Sequence, residues 1–466
     1  MPSAESPVGT VVEKSAAVPI GPMSRTFQAR PALTRQVGWT LVGNLVYAAA
    51  QSIIVIILAK TLNPAIVGQF GLGVAIATPI LMFTNLQLRA LQATESSCRV
   101  RFSDHFALRS ASTVAALIMI TGTVLLVGYS AVTGLVILSV GVMKCVEALS
   151  DTVYGHLQRY ERVDRIAISM IGKGLLSIVG LGAAIAFTRD VTWGALAVAA
   201  TFAAVLVCYD LPGAHRVTVE DPKHSDEAAN ERTKDLVSTR LRAFQVLINM
   251  GLPLGVTSVL LAVAANIPRY LLERTVSETA LGYFVALAYP SAVFVILLSA
   301  FGQAATPRMA EYHRTTRARF RRLVFKLMLI PPLSLFLVGG VAVLLGPDLL
   351  RMLYRADYAQ YFPEFLILLV AGAVWGVASV LGYAATSSRR LSSQAPAAAI
   401  ICTMTIVCGF LIVPKFGITG AAIVSMISGV CGIAVYGFVL LGKPDVSDYG
   451  VPIMEPPAPE DAASGS

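Results

Sequence analysis

Charge is scarce in this sequence. Asp, Glu, Lys and Arg together make up 14% of its 466 residues, where a soluble domain carries about 25%. With 56% hydrophobic residues and a mean hydropathy of +0.71, a chain of this kind cannot cover a water-facing surface, which excludes a soluble enzyme or binding module. Cysteine is equally sparse. Cys98, Cys145, Cys208, Cys402, Cys408 and Cys431 lie in or beside apolar segments without paired spacing, so they read as small core residues rather than disulfides or metal ligands. The five histidines are scattered in loops and helix ends, and none belongs to an H-E-x-x-H pattern. Gly172-Lys173-Gly174 lacks the upstream glycine of a phosphate-binding loop and sits in an apolar run, so no ATP site is expected. No cofactor or metal is implied, and no catalytic constellation stands out.

What the sequence has instead is long hydrophobic runs. A bilayer needs about 20 apolar residues per helix. Runs of that length occur near 37–59, 67–90, 106–128, 132–153, 165–187 and 192–209, and again near 246–270, 280–303, 323–345, 364–386, 394–414 and 419–441. The expected fold is an all-α polytopic membrane protein of about twelve transmembrane helices, in two pseudo-symmetric six-helix lobes around a central cavity. The expected units are a cytoplasmic tail (1–35), a first lobe (36–209), a charged cytoplasmic linker (210–242), a second lobe (243–442) and a cytoplasmic tail rich in Pro, Ala and acidic residues (443–466). The first run is too long for a signal-peptide core, and no A-x-A-like site ends it.

The net charge of +9 does not point to nucleic acid, because the cations follow the positive-inside rule. With the N-terminus inside, the inner loops hold Arg89, Arg99, Arg101, Arg159, Arg162, Arg165, the cluster from Arg308 to Arg322, and Arg389 and Arg390, while the outer loops hold few. Both termini are therefore expected in the cytoplasm. The run from Arg314 to Lys326 is amphipathic and suits an anionic inner leaflet.

The halves echo each other. Gly68-Gln-Phe70 opens the second run and Gly282-Tyr-Phe284 the eighth, each followed by a proline within the helix, Pro79 and Pro290, and by Gln92-Ala-Thr94 or Gln303-Ala-Ala-Thr306. Six helices per half give both halves the same orientation, with a pseudo-symmetry axis along the membrane normal and substrate between the lobes.

Intramembrane polar residues then mark the site, since a charge in a bilayer costs ~3 kcal/mol or more and is kept only facing a cavity or a partner. On the fourth run Lys144, Glu147, Asp151, Tyr154 and Gln158 follow at steps of three and four, which puts them on one helix face. Lys144 and Glu147 either neutralise each other or serve the cavity. Asp151 crowds a second carboxylate onto that face, a route to proton coupling. Thr40, Asn44, Tyr47 and Gln51 fall at steps of four, three and four and form a second polar stripe, which faces inward. Asn85, Arg89 and Gln92 share a face at the end of the second run. Arg89 is the best single anion ligand, since a guanidinium binds phosphate bidentately, or else a snorkelling residue at a helix end. Lys173 is an intramembrane cation, and Arg269 closes the seventh run either at the substrate or as an interfacial anchor.

Taken in order, Leu58-Ala-Lys-Thr-Leu-Asn-Pro64 with Gly68 and Phe70, Leu86-Gln-Leu-Arg89 with Gln92, Glu147-x3-Asp151-x2-Tyr154-Gly-x2-Gln158, and Asn266-x-Pro-Arg269-Tyr270 with Gly282-Tyr-Phe284 resemble the Wzx-like lipid-linked oligosaccharide flippases of the MATE-related exporter superfamily, over about residues 36–442. The resemblance implies a bacterial inner-membrane protein that moves an undecaprenyl-diphosphate-linked oligosaccharide from the cytoplasmic to the periplasmic leaflet by alternating access, for exopolysaccharide or O-antigen synthesis. It implies anion contacts at Arg89, Lys144, Lys173 and Arg269, hydrogen bonds to sugar hydroxyls at Asn44 and Gln51, partner or coupling carboxylates at Glu147 and Asp151, H+ or Na+ coupling, and a polysaccharide polymerase and export proteins as partners. Two other readings stay open: a MATE-type efflux antiporter, which needs a cavity of net negative charge, and a membrane polymerase or ligase, which the short outer loops disfavour.

Overall fold

The computed structural model describes residues 33–85, 88–89, 102–219, 236–388, 390 and 392–442. Residues 1–32 of the expected N-terminal tail, residues 220–235 of the expected linker, Gln92 and the expected C-terminal tail lie outside the described residues, while residues 33–35 of that N-terminal tail are helical. The described chain is helical almost throughout. The first half consists of α1 (Leu33–Thr61), α2 (Pro64–Asn85), α3 (Phe102–Val127), α4 (Ala131–Arg159), α5 (Val163–Thr188) and α6 (Val191–Val205), which runs on through a π-turn (Leu206–Asp210) into α7 (Leu211–Val219). The second half consists of α8 (Leu236–Thr275), α9 (Glu278–Thr315), α10 (Arg317–Met328), α11 (Ile330–Leu345), α12 (Pro347–Leu353), α13 (Phe362–Ser387) and α14 (Gln394–Leu441), with a 3-10 turn (Ala356–Tyr361) before α13.

Lipid dictates this architecture, because backbone N–H and C=O groups in hydrocarbon must pair within their own segment. Ten helices among the described residues are long and apolar enough to span a bilayer. One of these ten, Gln394–Leu441, is two helices merged across a kink at Gly417, whose φ of 55° suits a residue without a side chain. A further helix, α9, is 38 residues long. The ten, the second segment of α14 and α9 make twelve, in line with the runs of the sequence. The short connections at one end of the molecule are capped by polar side chains: Ser130 accepts from the Thr133 amide, Asp190 from Thr192 and Ser277 from Ala280.

Within the first half α1 packs on α5, α5 on α6, and α4 on α2, α3 and α6. In the second half α14 packs on α8 and α13, and α13 on α9. The halves meet where α2 crosses α8 and α9, and where α1 touches α9. One buried cluster runs through both halves and includes Phe70, Leu72, Val140, Phe284, Val285 and Leu287. Leu126, Phe187, Leu344 and Phe438 stay exposed, as suits a surface that faces acyl chains rather than water.

The junction is closest at the two glycines of the sequence repeat. A Cβ on Gly68 would stand 2.1 Å from the Glu278 carbonyl oxygen, and one on Gly282 would stand 1.8 Å from the Pro64 carbonyl oxygen. Only hydrogen fits at either place, so the backbones of α2 and α9 touch directly. Around them Gln69 donates to Thr133 (3.2 Å) and to Glu278 (2.9 Å), Thr133 donates to the other oxygen of Glu278 (2.8 Å), and the Tyr270 hydroxyl donates to the Ala75 carbonyl (2.5 Å). Arg355 of the α12–α13 connection reaches the Leu62 carbonyl at 3.4 Å. The two halves are therefore clamped together at this end.

Candidate functional site: a charged cavity in one half and an apolar one in the other

Between the Gly68 end and the Arg89 end of the first half lies a cavity of about 290 Å³, built from α1, α2, α3, α4 and α5. The stripe on α4 lines it with Lys144, Glu147, Asp151 and Tyr154. Opposite stand Tyr47 from α1, Asn85 from the end of α2, Arg89 beyond that end, Arg109 from α3 and Lys173 from α5. Four cations thus face two carboxylates across this space.

Charges near one another in a poorly hydrated site must find partners, and most do. Arg89 pairs with Asp151 at 2.7 Å, and its guanidinium lies 5.7 Å from the Tyr154 ring centroid. Lys144 pairs with Glu147 at 2.7 Å, one turn along the same helix, and the Tyr47 hydroxyl donates to the other oxygen of Glu147 at 2.5 Å. These pairs remain part-exposed: Arg89 and Asp151 keep 39% and 30% of their side-chain surface. Of the four cations proposed as anion contacts, Lys144 is thus held by Glu147 and Arg89 by Asp151.

Lys173 differs. Its ammonium is buried, donates to Asp210 at 2.6 Å and to the Tyr154 hydroxyl at 2.9 Å, and sits 4.8 Å from the Tyr154 ring centroid. Tyr154 is fixed in turn by Ser169 at 2.8 Å. Asp210 comes from the π-turn that joins α6 to α7. The extra residue in such a turn re-aims side chains, and here it accompanies a carboxylate buried against the one lysine of α5. Asp210 stood first in the expected linker, where nothing in its neighbours signals burial. Arg109 also escaped notice in the sequence, because it opens an apolar run and resembles an interfacial residue. It is 1% exposed, donates from Nε to the Ala148 carbonyl at 3.0 Å, and leaves one terminal nitrogen without a hydrogen-bond partner among the described residues.

The second half holds a cavity of about 370 Å³ lined by α8, α9, α13 and α14. Its walls are chiefly Leu261, Phe284, Val295, Leu368 and Trp375, with Ser291, Ser425 and Ser428 as hydroxyls. Arg269 is the single charged residue among its described lining residues. The Arg269 guanidinium donates to Asn266 at 2.8 Å, and among the described residues its Nε has no hydrogen-bond partner and no carboxylate pairs with it. The two cavities lie on either side of the junction where α2 packs on α8 and α9, with α2 lining the first and α8 and α9 the second.

The structure therefore gathers Arg89, Lys144, Lys173, Glu147 and Asp151 around one cavity and puts Arg269 in the next. It does not gather Asn44 and Gln51, which line neither cavity. The Asn44 amide donates to the Thr40 carbonyl one turn back (2.8 Å), the local bond that short amide side chains often make. The Gln51 amide nitrogen is buried without a partner among the described residues. Of the α1 stripe, Tyr47 reaches the cavity.

Comparisons with known proteins agree with this architecture. The capsular polysaccharide biosynthesis protein CapF of Staphylococcus aureus is 21% identical over 398 residues, which span 85% of this chain and 96% of that protein. The Vibrio cholerae MATE transporter VcmN superposes with a TM-score of 0.60 at 14% identity, over 88% of this chain and 97% of that one. The lipid II flippase MurJ superposes with a TM-score of 0.61 at 11% identity, over 90% of this chain and 88% of that one. At such identities the solved structures show a shared fold: that of multi-pass membrane transporters. Residues 33–313, more than half of the sequence, match the family described as polysaccharide biosynthesis protein, and the chain belongs to that family.

Proposed function

We propose that this protein is a flippase which carries an undecaprenyl-diphosphate-linked oligosaccharide from the cytoplasmic to the periplasmic leaflet of a bacterial inner membrane, for capsule, exopolysaccharide or O-antigen assembly. The observation that carries the reading is the cation balance of the adjoining cavities. Asp151 holds Arg89, Glu147 holds Lys144 and Asp210 holds Lys173, which leaves Arg109 in excess at the first cavity, and Arg269 of the second has no described carboxylate partner. A diphosphate is the kind of group that such cations receive, through short charge-assisted hydrogen bonds. The apolar walls of the second cavity are less costly neighbours for the carrier lipid or sugar faces than for free ions.

With the termini in the cytoplasm, the Gly68 end faces the periplasm and its clamp corresponds to an inward-facing state. The headgroup enters beside Arg89, displaces Asp151 from it, and meets Arg269 from the second lobe. Contacts to both lobes are what an alternating-access cycle needs, because a ligand shifts an equilibrium only by its differential affinity for the two states. Release of the headgroup outward requires α2 and α9 to part at Gly68 and Gly282. The same cation excess disfavours a MATE-type antiporter for organic cations, whose ligands require the opposite field.

The test is the sidedness of lipid-linked oligosaccharide in a deletion strain. Wild-type protein restores periplasmic display and surface polymer, and Arg89→Ala at normal protein level does not. Full restoration by Arg89→Ala removes that residue from the site. Display of unpolymerised units in the strain without the protein overturns the flippase reading in favour of a polymerase or ligase.

A further inference from the structure

The transport reading leaves α10 unused. This helix, RARFRRLVFKLM, joins α9 to α11. From residue 312 to residue 347 the chain has no Asp or Glu, yet Arg314, Arg317, Arg319, Arg321, Arg322 and Lys326 fall within it. All six are exposed, and no described carboxylate pairs with any of them. A run of like charges repels itself and is kept where an opposite charge comes from elsewhere.

The helix has two faces. Phe320 and Val324 are buried, in a cluster with Met309, Val380, Leu381 and Ala384 of the second half. Arg322, Phe325, Lys326 and Leu329 follow at steps of three and one, which places them together on the opposite side. Phe325 is 61% and Leu329 50% exposed. The apolar row does not stop there. Leu329 caps α10 and precedes Pro331 at the start of α11, and the exposed row continues with Leu333, Phe336 and Leu337, which are 70%, 81% and 70% exposed. Because α11 is part of a membrane span, this row faces acyl chains. The cations of α10 therefore lie at the end of a lipid-facing stripe, where the headgroups begin, with Phe325 and Leu329 reaching toward the acyl boundary. That combination of basic side chains and exposed apolar ones is the signature of an interfacial helix.

We propose that the outward face of α10 is a docking surface for anionic phospholipid headgroups of the adjoining leaflet, with Arg319, Arg321, Arg322 and Lys326 holding the phosphates and Phe325 anchoring the helix. Its occupant is a resident glycerophospholipid, independent of the transported substrate. Docking ties the second half to the membrane plane through α10 and leaves the first half free to move against it.

The experiment uses the full chain in nanodiscs made from equal parts of phosphatidylglycerol and phosphatidylcholine, followed by native mass spectrometry of the released protein. The wild type retains phosphatidylglycerol over phosphatidylcholine. The variant R319Q/R321Q/R322Q/K326Q, which leaves Phe320 and Val324 in place, loses that preference by about tenfold or more, because four cations near an anionic surface are removed. Replacing the three arginines by lysine keeps the charge and retains the preference, which separates charge from misfolding. Equal retention of the two lipids by the wild type, or an unchanged preference in the glutamine variant, overturns the proposal. So does tight binding of a short RNA polyanion to wild type in pure phosphatidylcholine discs, because it assigns the face to an aqueous partner.

Discussion

The two cavities follow opposite rules. In the first half every carboxylate that lines the space is held by a cation, and Lys173 is neutralised by Asp210 away from solvent. In the second half Arg269 stands in largely apolar walls, donates to the Asn266 side-chain oxygen and has no described carboxylate partner. Paired charge is a ready structure: it stays folded without a ligand, and a ligand has to compete for it. Unpaired charge is a standing demand for an anion. In the proposed reading an anionic headgroup first competes with Asp151 for Arg89 and then meets Arg269, where no described carboxylate opposes it.

The sharpest way to break this contrast is to remove one member of the buried pair. Lys173→Met leaves Asp210 unpaired in a dry environment and is expected to destabilise the protein by about 3–5 kcal/mol. The double variant Lys173→Met/Asp210→Leu should return to within about 1–2 kcal/mol of wild type, because the pair is replaced by apolar groups. Thermal unfolding of the purified chains reads both, and a double variant no better than the single contradicts the assignment. The junction between the regions comes next. Gly68→Val sets side-chain atoms against the Glu278 carbonyl, so the clamped arrangement should lose ~3 kcal/mol or more relative to the opened one. Crosslinking of a cysteine pair introduced at Gln69 on one side and Glu278 on the other should fall accordingly, and undiminished crosslinking places the glycine outside the clamp.

Smaller effects sharpen the comparison. Arg269→Ala should leave stability within about 1 kcal/mol, since no carboxylate loses its partner. It should still weaken an anionic ligand by ~10- to 150-fold, the ~1.5–3 kcal/mol of a charged hydrogen bond. Titration with a soluble diphosphate-lipid analogue checks this, and a large stability loss with unchanged binding reverses the assigned roles. Smallest of all, Lys144→Gln or Glu147→Gln breaks a pair that keeps 21% and 29% of its surface exposed, so each should cost about 1 kcal/mol or less in thermal unfolding.

The sequence made the spans and the α4 stripe legible because both are local periodicities. Lys144, Glu147, Asp151 and Tyr154 share a helix face whatever surrounds them, and that face does line the cavity. The glycine repeat was legible as a repeat, but not as a contact, because nothing local says that α2 and α9 cross with hydrogen at the crossing point. Asp210 and Arg109 were illegible for the same reason. Their roles rest on Lys173, 37 residues away from Asp210, and on a backbone carbonyl of α4, 39 residues from Arg109. Asn44 shows the converse: its spacing fits the stripe, yet its amide is satisfied one turn back on its own helix.

The central claim is that these adjoining cavities receive an anionic, diphosphate-bearing lipid headgroup. Its most direct test is equilibrium binding of an undecaprenyl-diphosphate glycan to the purified full chain, set against the same glycan on an uncharged carrier. Preferential binding of the diphosphate form by wild type, weakened ~10- to 150-fold in Arg269→Ala, is the predicted result. Equal binding of the two carriers, or selective binding of an organic cation instead, would contradict it.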